Sequence, residues 1–127
     1  MKTDSMNEKK LELYIHIPFC VKKCDYCDFL SFPADSNTQI RYVHALLQEI
    51  RYYGNLFGDY HVPTIYIGGG TPSWLEENLI YTVLQQVASS FHVEADAEIS
   101  IECNPGTVTA KKLNVYQSAG INRLSIG

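Results

Sequence analysis

Apolar residues in this chain alternate between strand-like and helix-like spacing, and that alternation limits the fold more than any other feature. Leu11, Leu13, Ile15 and Ile17 fall on one face of an extended segment, with Tyr14 and His16 on the other, and Pro18 stops it. Residues 38–53 then carry Ile40, Val43, Leu46, Leu47 and Ile50 at helical spacing, with Gly54 as the expected stop. A β-branched run over residues 62–67 breaks at Gly68-Gly69-Gly70. Residues 73–90 read as a second helix, with Ser73 as its cap, Glu76 at the capping-box position and Leu79, Ile80, Val83, Leu84 and Val87 as its buried stripe. A third strand over 97–103 ends at Asn104-Pro105-Gly106. The helix over 109–119 is capped by Thr109 and stopped by Gly120, and residues 121–126 begin a fourth strand.

The resulting order, β-α-β-α-β-α-β, has connections long enough for right-handed crossovers between parallel strands, so the fold class is α/β. Two closures satisfy it: an open doubly wound sheet, or part of a β/α barrel. The chain has 127 residues and 46% hydrophobic content, the size and composition of one ordinary domain. Residues 1–10 are polar and charged and read as a disordered tail. Residues 11–127 read as an incomplete domain, the N-terminal part of a partial TIM-type barrel, because no helix follows to cover the fourth strand. Such a portion is expected to be poorly stable alone, with apolar edge and interior exposed.

Several function classes are disfavoured. The net charge is −4 with scattered basic residues, which is no nucleic-acid footprint. No apolar run approaches the roughly 20 residues of a membrane span. The first ten residues lack the apolar stretch of a secretory signal, so the cytoplasm is the expected compartment. Of the four cysteines, Cys20, Cys24 and Cys27 are clustered and Cys103 stands far away. A secreted disulfide scaffold would spread an even set through a loop-rich chain; clustered cytosolic thiols point to metal.

The spacing Cys20-x3-Cys24-x2-Cys27 directly follows a strand. Three thiolates can hold three irons of a [4Fe–4S] cube and leave the fourth iron open. The alternatives are a structural zinc knuckle, which wants four ligands although the nearest downstream imidazole is His44 along a helix, or simply buried thiols. The glycine turn at 68–70 is neither a Walker loop nor a dinucleotide fingerprint. It reads either as a tight strand-to-helix turn or as a place where backbone approaches a ligand. Glu102, at the end of the third strand, faces the ligand side if the strands are parallel, or otherwise solvent. Cys103 alternates to the opposite face and reads as a small buried apolar residue.

Taken together, Tyr14-Ile15-His16-Ile17-Pro18-Phe19-Cys20, Cys24-Asp25-Tyr26-Cys27, Gly68-Gly69-Gly70-Thr71-Pro72 and Ile101-Glu102-Cys103-Asn104-Pro105-Gly106 resemble the radical S-adenosylmethionine (SAM) superfamily. The branch they resemble contains oxygen-independent coproporphyrinogen III oxidase and the related haem chaperones. The resemblance implies a radical SAM fold, a [4Fe–4S] cluster held by Cys20, Cys24 and Cys27, and SAM as second cofactor. It places Tyr26 against the adenine and Tyr14 near the cofactor. Gly69, Gly70 and Thr71 would contact the methionine ammonium, Gly68 would be a backbone requirement, and Glu102 would accept from a ribose hydroxyl. His16 and Asp25 read as satisfied polar residues beside the loop, and Arg123 as a structural ion-pair residue. No catalytic residue is assigned.

The implied partners are haem or a porphyrinogen, an electron donor for the cluster, and haem-accepting proteins; any haem site would lie outside this chain. The oxidase usually carries a further cysteine two residues after the third ligand, where this chain has Phe29, and a longer extension before its cysteine loop. Both departures favour the haem chaperone branch over the decarboxylating oxidase. A non-catalytic metal-binding module is the remaining alternative. Little or no turnover is expected from this stretch alone.

Overall fold

A computed structural model of the chain describes residues 9–20 and 35–126. Residues 1–8 of the expected tail, and Cys24, Asp25, Tyr26, Cys27 and Phe29, lie outside the described residues. Strands β1 (Leu13–Ile17), β2 (His61–Gly69), β3 (His92–Cys103) and β4 (Arg123–Ile126) form one parallel sheet in the order β1-β2-β3-β4. Helices α1 (Ser36–Phe57), α2 (Glu77–Ser90) and α3 (Ala110–Ala119) make the three crossovers. A doubly wound sheet reverses its strand order at a switch point, whereas here each new strand adds beside the last. With right-handed crossovers this places all helices on one face, and α1 packs on α2 and α2 on α3. The sequential order is that of a β/α barrel.

Side-chain alternation gives the sheet two unlike faces. Ile15, Ile17, Ile65, Ile67, Ile101 and Cys103 point to the helices and are buried with Val43, Ile50, Ile80, Val83, Leu84, Val87 and Tyr116. The opposite face carries Tyr14 beside Tyr66, Tyr66 beside Ser100 and Ser100 beside Arg123, with His16, Gly68, Glu102 and Ser125 forming the next row. At the β4 edge, Leu124 and Ile126 pair with helix-side Ile101 and Cys103 yet stay 38% and 63% exposed.

Several element boundaries differ from expectation. Helix α1 starts two residues earlier than residue 38, because Asp35 Oδ1 accepts the Thr38 N–H at 2.8 Å. That bond holds the Asp35 carboxyl below its ordinary pKa. The helix also runs through Gly54 to Phe57. Gly54 is buried where a Cβ would stand 2.6 Å from the Ser90 carbonyl oxygen, so it serves helix packing and not termination. The helix phase buries Gln39 at 8% exposure and leaves the expected stripe residue Ile40 at 44%.

Ser73 does not cap α2, which starts at Glu77 with Glu76 at the cap position and no side-chain cap bond. Instead Ser73 sits fully buried in a one-turn 3-10 helix, Pro72–Trp74. Strand β3 begins at His92, five residues before the expected start, and its register with β2 shifts between Val62 and Thr64. The caps of α3 stand as expected: Thr109 accepts the Lys112 N–H at 3.1 Å, and Gly120 takes φ 103°. Among the described residues no helix is long and apolar enough to cross a membrane.

Candidate functional site

In a parallel sheet every strand ends on the same side, and the sequence-predicted residues converge there. Strand β1 leads through Pro18 and Phe19 to Cys20. Phe19 is fully buried edge-on to Tyr42 of α1, with ring centroids 5.3 Å apart. The Tyr42 hydroxyl donates to the His16 carbonyl, so α1 holds the strand end that presents Cys20. Cys20 is itself 6% exposed. No group of three or more metal-ligating side chains occurs among the described residues. The other two cysteines of the expected triad lie outside them.

The glycine segment is an extension of the sheet before it is a turn. Gly68 and Gly69 still pair with His16 and Ile17. The chain then turns: the Gly70 N–H donates to the Ile17 carbonyl at 2.9 Å and the Thr71 N–H to the Phe19 carbonyl at 2.6 Å. These bonds staple the turn to the strand end that carries Cys20. Gly69 has φ 128°, and a Cβ there would collide with the Ile17 carbonyl oxygen, so both backbone shape and space demand glycine. The Gly69 N–H donates to Glu102 Oε1 at 3.0 Å. The N–H groups of Gly69, Gly70 and Thr71 are therefore spent within the protein. What this turn has left for a cationic donor such as an ammonium is carbonyl oxygen.

Glu102 is the side chain on which this region converges. Besides Gly69, it accepts the Tyr66 hydroxyl at Oε2, 2.8 Å away. Tyr66 stacks on Tyr14, with centroids 6.0 Å apart and planes 15° from parallel, and the Tyr14 hydroxyl lies 3.3 Å from His16 Nδ1. Partial burial, then the charge of Glu102, holds the Tyr14 phenol above its ordinary pKa. A cleft of about 200 Å³ lies beside the carboxylate, lined by Gly70, Thr71, Pro72, Glu102, Asn104 and Ser125 among others. Of the residues expected to touch a cofactor, Tyr14, Gly69, Gly70, Thr71 and Glu102 thus come together, while Tyr26 lies outside the described residues. Cys103 is 5% exposed, and burial pushes its thiol pKa up, as fits a small buried residue. Arg123 reaches the Ser100 hydroxyl at 3.4 Å, and among the described residues forms no ion pair.

Sequence reasoning missed the support beneath this cleft. The Ser73 hydroxyl shares a 2.5 Å hydrogen bond with that of Thr107 and accepts the Asn104 N–H at 3.0 Å. Asn104 Oδ1 accepts the Gly106 N–H at 2.9 Å, and Lys112 Nζ donates to the Ser73 carbonyl. The loop after β2 is thereby tied to the loop after β3. Burial lowers the Lys112 pKa, favouring its neutral form. The Asn104-Pro105-Gly106 turn was visible as a signal, but its partner 31 positions away was not.

Comparison with known proteins gives consistent results. The sequence profile of the Radical SAM superfamily matches residues 14–127. The chain is 47% identical over 118 residues to heme chaperone HemW of Escherichia coli K12, covering 92% of this chain and 31% of that protein. It is 40% identical over 121 residues to oxygen-independent coproporphyrinogen III oxidase of Salmonella typhimurium, covering 94% of this chain and 26% of that protein. Among solved structures, E. coli coproporphyrinogen III oxidase (HemN), described as a radical SAM enzyme, superposes with TM-score 0.87 at 38% identity. That match covers 94% of this chain and 28% of the other. The chain therefore spans about three tenths of the length of these relatives.

Proposed function

The chain belongs to the radical SAM superfamily, and from that premise we propose that it is the cluster- and SAM-binding portion of a haem chaperone-like protein of porphyrin and haem metabolism. Cys20, Cys24 and Cys27 would hold a [4Fe–4S] cluster. The donor set suits that group: cysteine thiolates are the usual ligands of such a cluster, three of them leave one iron open, and Cys20 stands beside a glycine turn tied to its own strand end. When bound, the cluster supplies one electron for reductive cleavage of the SAM sulfonium.

The observation that carries the reading is the position of Glu102, a carboxylate locked to the glycine turn at the mouth of a cleft. Glu102 would accept from the ribose hydroxyls of SAM. Carbonyl oxygens of Gly69 and Gly70, with Thr71, would accept from the methionine ammonium. Tyr14 would border the cofactor from β1, and Tyr26 would meet the adenine. Burial of Phe19 and Cys20 keeps water from the strand end.

Identity to a haem chaperone supports haem as the cargo, haem-accepting proteins as the recipients, and a cytoplasmic setting in which thiols stay reduced. An electron donor would reduce the cluster. Phe29, where the oxidase usually has cysteine, favours the chaperone over the decarboxylating enzyme. The 40% identity to the oxidase keeps propionate decarboxylation as the second reading.

Anaerobic reconstitution with iron and sulfide tests the proposal. Cluster absorption and acid-labile sulfide should appear, and SAM should perturb the cluster spectrum. A protein without labile sulfide, or a spectrum indifferent to SAM, refutes it. Coproporphyrinogen turnover under anoxia by the longer protein would select the second reading.

A further inference from the structure

We propose that Tyr66 is a positioning residue that aims the Glu102 carboxylate at the cofactor's ribose diol; this rests on the reading of Glu102 given above. An ionised carboxylate has about four acceptor positions, two on each oxygen. Here the protein fills one on each: the Gly69 N–H at Oε1, 3.0 Å away, and the Tyr66 hydroxyl at Oε2, 2.8 Å away. One position per oxygen is left, and a vicinal diol brings two hydroxyl donors to fill them. Two anchors on different oxygens also stop the carboxylate from rotating about its terminal bond, so the pair of remaining lone pairs keeps a fixed direction.

Of the two anchors, the amide of Gly69 is fixed by the backbone and only Tyr66 is set by a side chain. Its ring lies against Tyr14 on the polar face of the sheet, one row back from Glu102. The gap between them is kept open by Gly68, where a Cβ would lie 2.9 Å from Tyr66 Cε1 and 3.1 Å from Glu102 Cδ. Because Tyr66 is outside the apolar core and its ring contact survives in phenylalanine, Tyr66→Phe removes the anchor with little else disturbed.

The test measures binding of S-adenosylhomocysteine and of its 2′,3′-dideoxy counterpart to the anaerobically reconstituted 127-residue chain by calorimetry. The wild-type chain should prefer the diol ligand by about tenfold or more, the scale of hydrogen bonds to a charged group. Tyr66→Phe should cut that preference at least about threefold, by weakening the diol ligand alone. Tyr66→His, whose shorter ring cannot reach the same oxygen, should cut the preference likewise.

A preference undiminished in Tyr66→Phe overturns the inference and leaves the ribose reading standing. Equal weakening of both ligands assigns Tyr66 a general structural role and also overturns it. A wild-type chain that binds both ligands equally, or neither, overturns the ribose reading itself. If circular dichroism shows Tyr66→Phe unfolded, Tyr66→His decides by the same ratio; loss of fold in both variants makes the phenol a stability element and ends the proposal.

Discussion

Where α1 crosses α2, Gly54 approaches Ser90 so closely that a Cβ would stand 2.6 Å from the Ser90 carbonyl oxygen and 2.7 Å from its Cβ. In an exposed helix, replacing glycine by alanine gains about 1 kcal/mol. Here the collision is with backbone, which cannot swing aside as a side-chain tip can. Gly54→Ala is therefore expected to destabilise the chain by about 1–3 kcal/mol, the range for overpacking. Urea denaturation checks the sign, and a more stable variant would show that the helices can separate at little cost.

The two classes of cysteine should part cleanly on substitution. Cys24→Ala should abolish iron and labile sulfide after reconstitution, while the fold measured by circular dichroism persists. Cys103→Ala should keep both iron and sulfide, since Cys103 points into the helix-side core. Its cost is packing, about 1 kcal/mol for a small buried group. Iron loss in Cys103→Ala would place a fourth thiolate at the cluster.

Ser73 holds the loop after β2 to the loop after β3 through Asn104 and Thr107. Ser73→Ala leaves the Asn104 N–H without its acceptor. It should cost about 1 kcal/mol, the net contribution of a typical hydrogen bond. Because the same loops line the cleft, SAM binding should weaken too. Equal affinity in the variant would show that the loops are held without this bond.

Tyr116 is 1% exposed, and its hydroxyl has no hydrogen-bond partner among the described residues. Burial drives its pKa well above the usual tyrosine range, since the phenolate is the costlier form to desolvate. A raised folded pKa means that its contribution is fully present below the unfolded value, about pH 10, and is lost as pH climbs toward the folded value. Wild-type stability should thus fall above about pH 10, and Tyr116→Phe should fall less steeply there. At neutral pH Tyr116→Phe should equal or exceed wild type by up to about 1 kcal/mol, because an unpaired hydroxyl leaves the core. Denaturation midpoints across this range decide it.

Much of this architecture was legible because it depends on neighbours in sequence. The stripe Ile80, Val83, Leu84 and Val87 is buried as its spacing implied, and Thr109 and Gly120 bound α3 through bonds within one turn. Gly54 and Ser73 misled for a shared reason: glycine after a helical run and serine before one usually mark ends, yet each answers to a residue more than thirty positions away. Strand order is likewise a matter of distant pairing, and it separated the two closures that local pattern left open. At the cleft, Gly70, Thr71 and Glu102, singled out by type and position, stand together. Tyr66 was not singled out, since nothing between it and Glu102 in sequence hints that the two touch.

Glu102 sits between Ile101 and Cys103, both sunk among the helices. Sliding β3 by a single position against β2 would drive the carboxylate into oil and lift isoleucine to the mouth of the cleft. Greasy neighbours thus act as a ratchet for the acid between them. The molecule cannot misalign its cleft-facing group without first tearing its own interior, so fidelity at the mouth of the cleft comes as a by-product of cohesion beneath it.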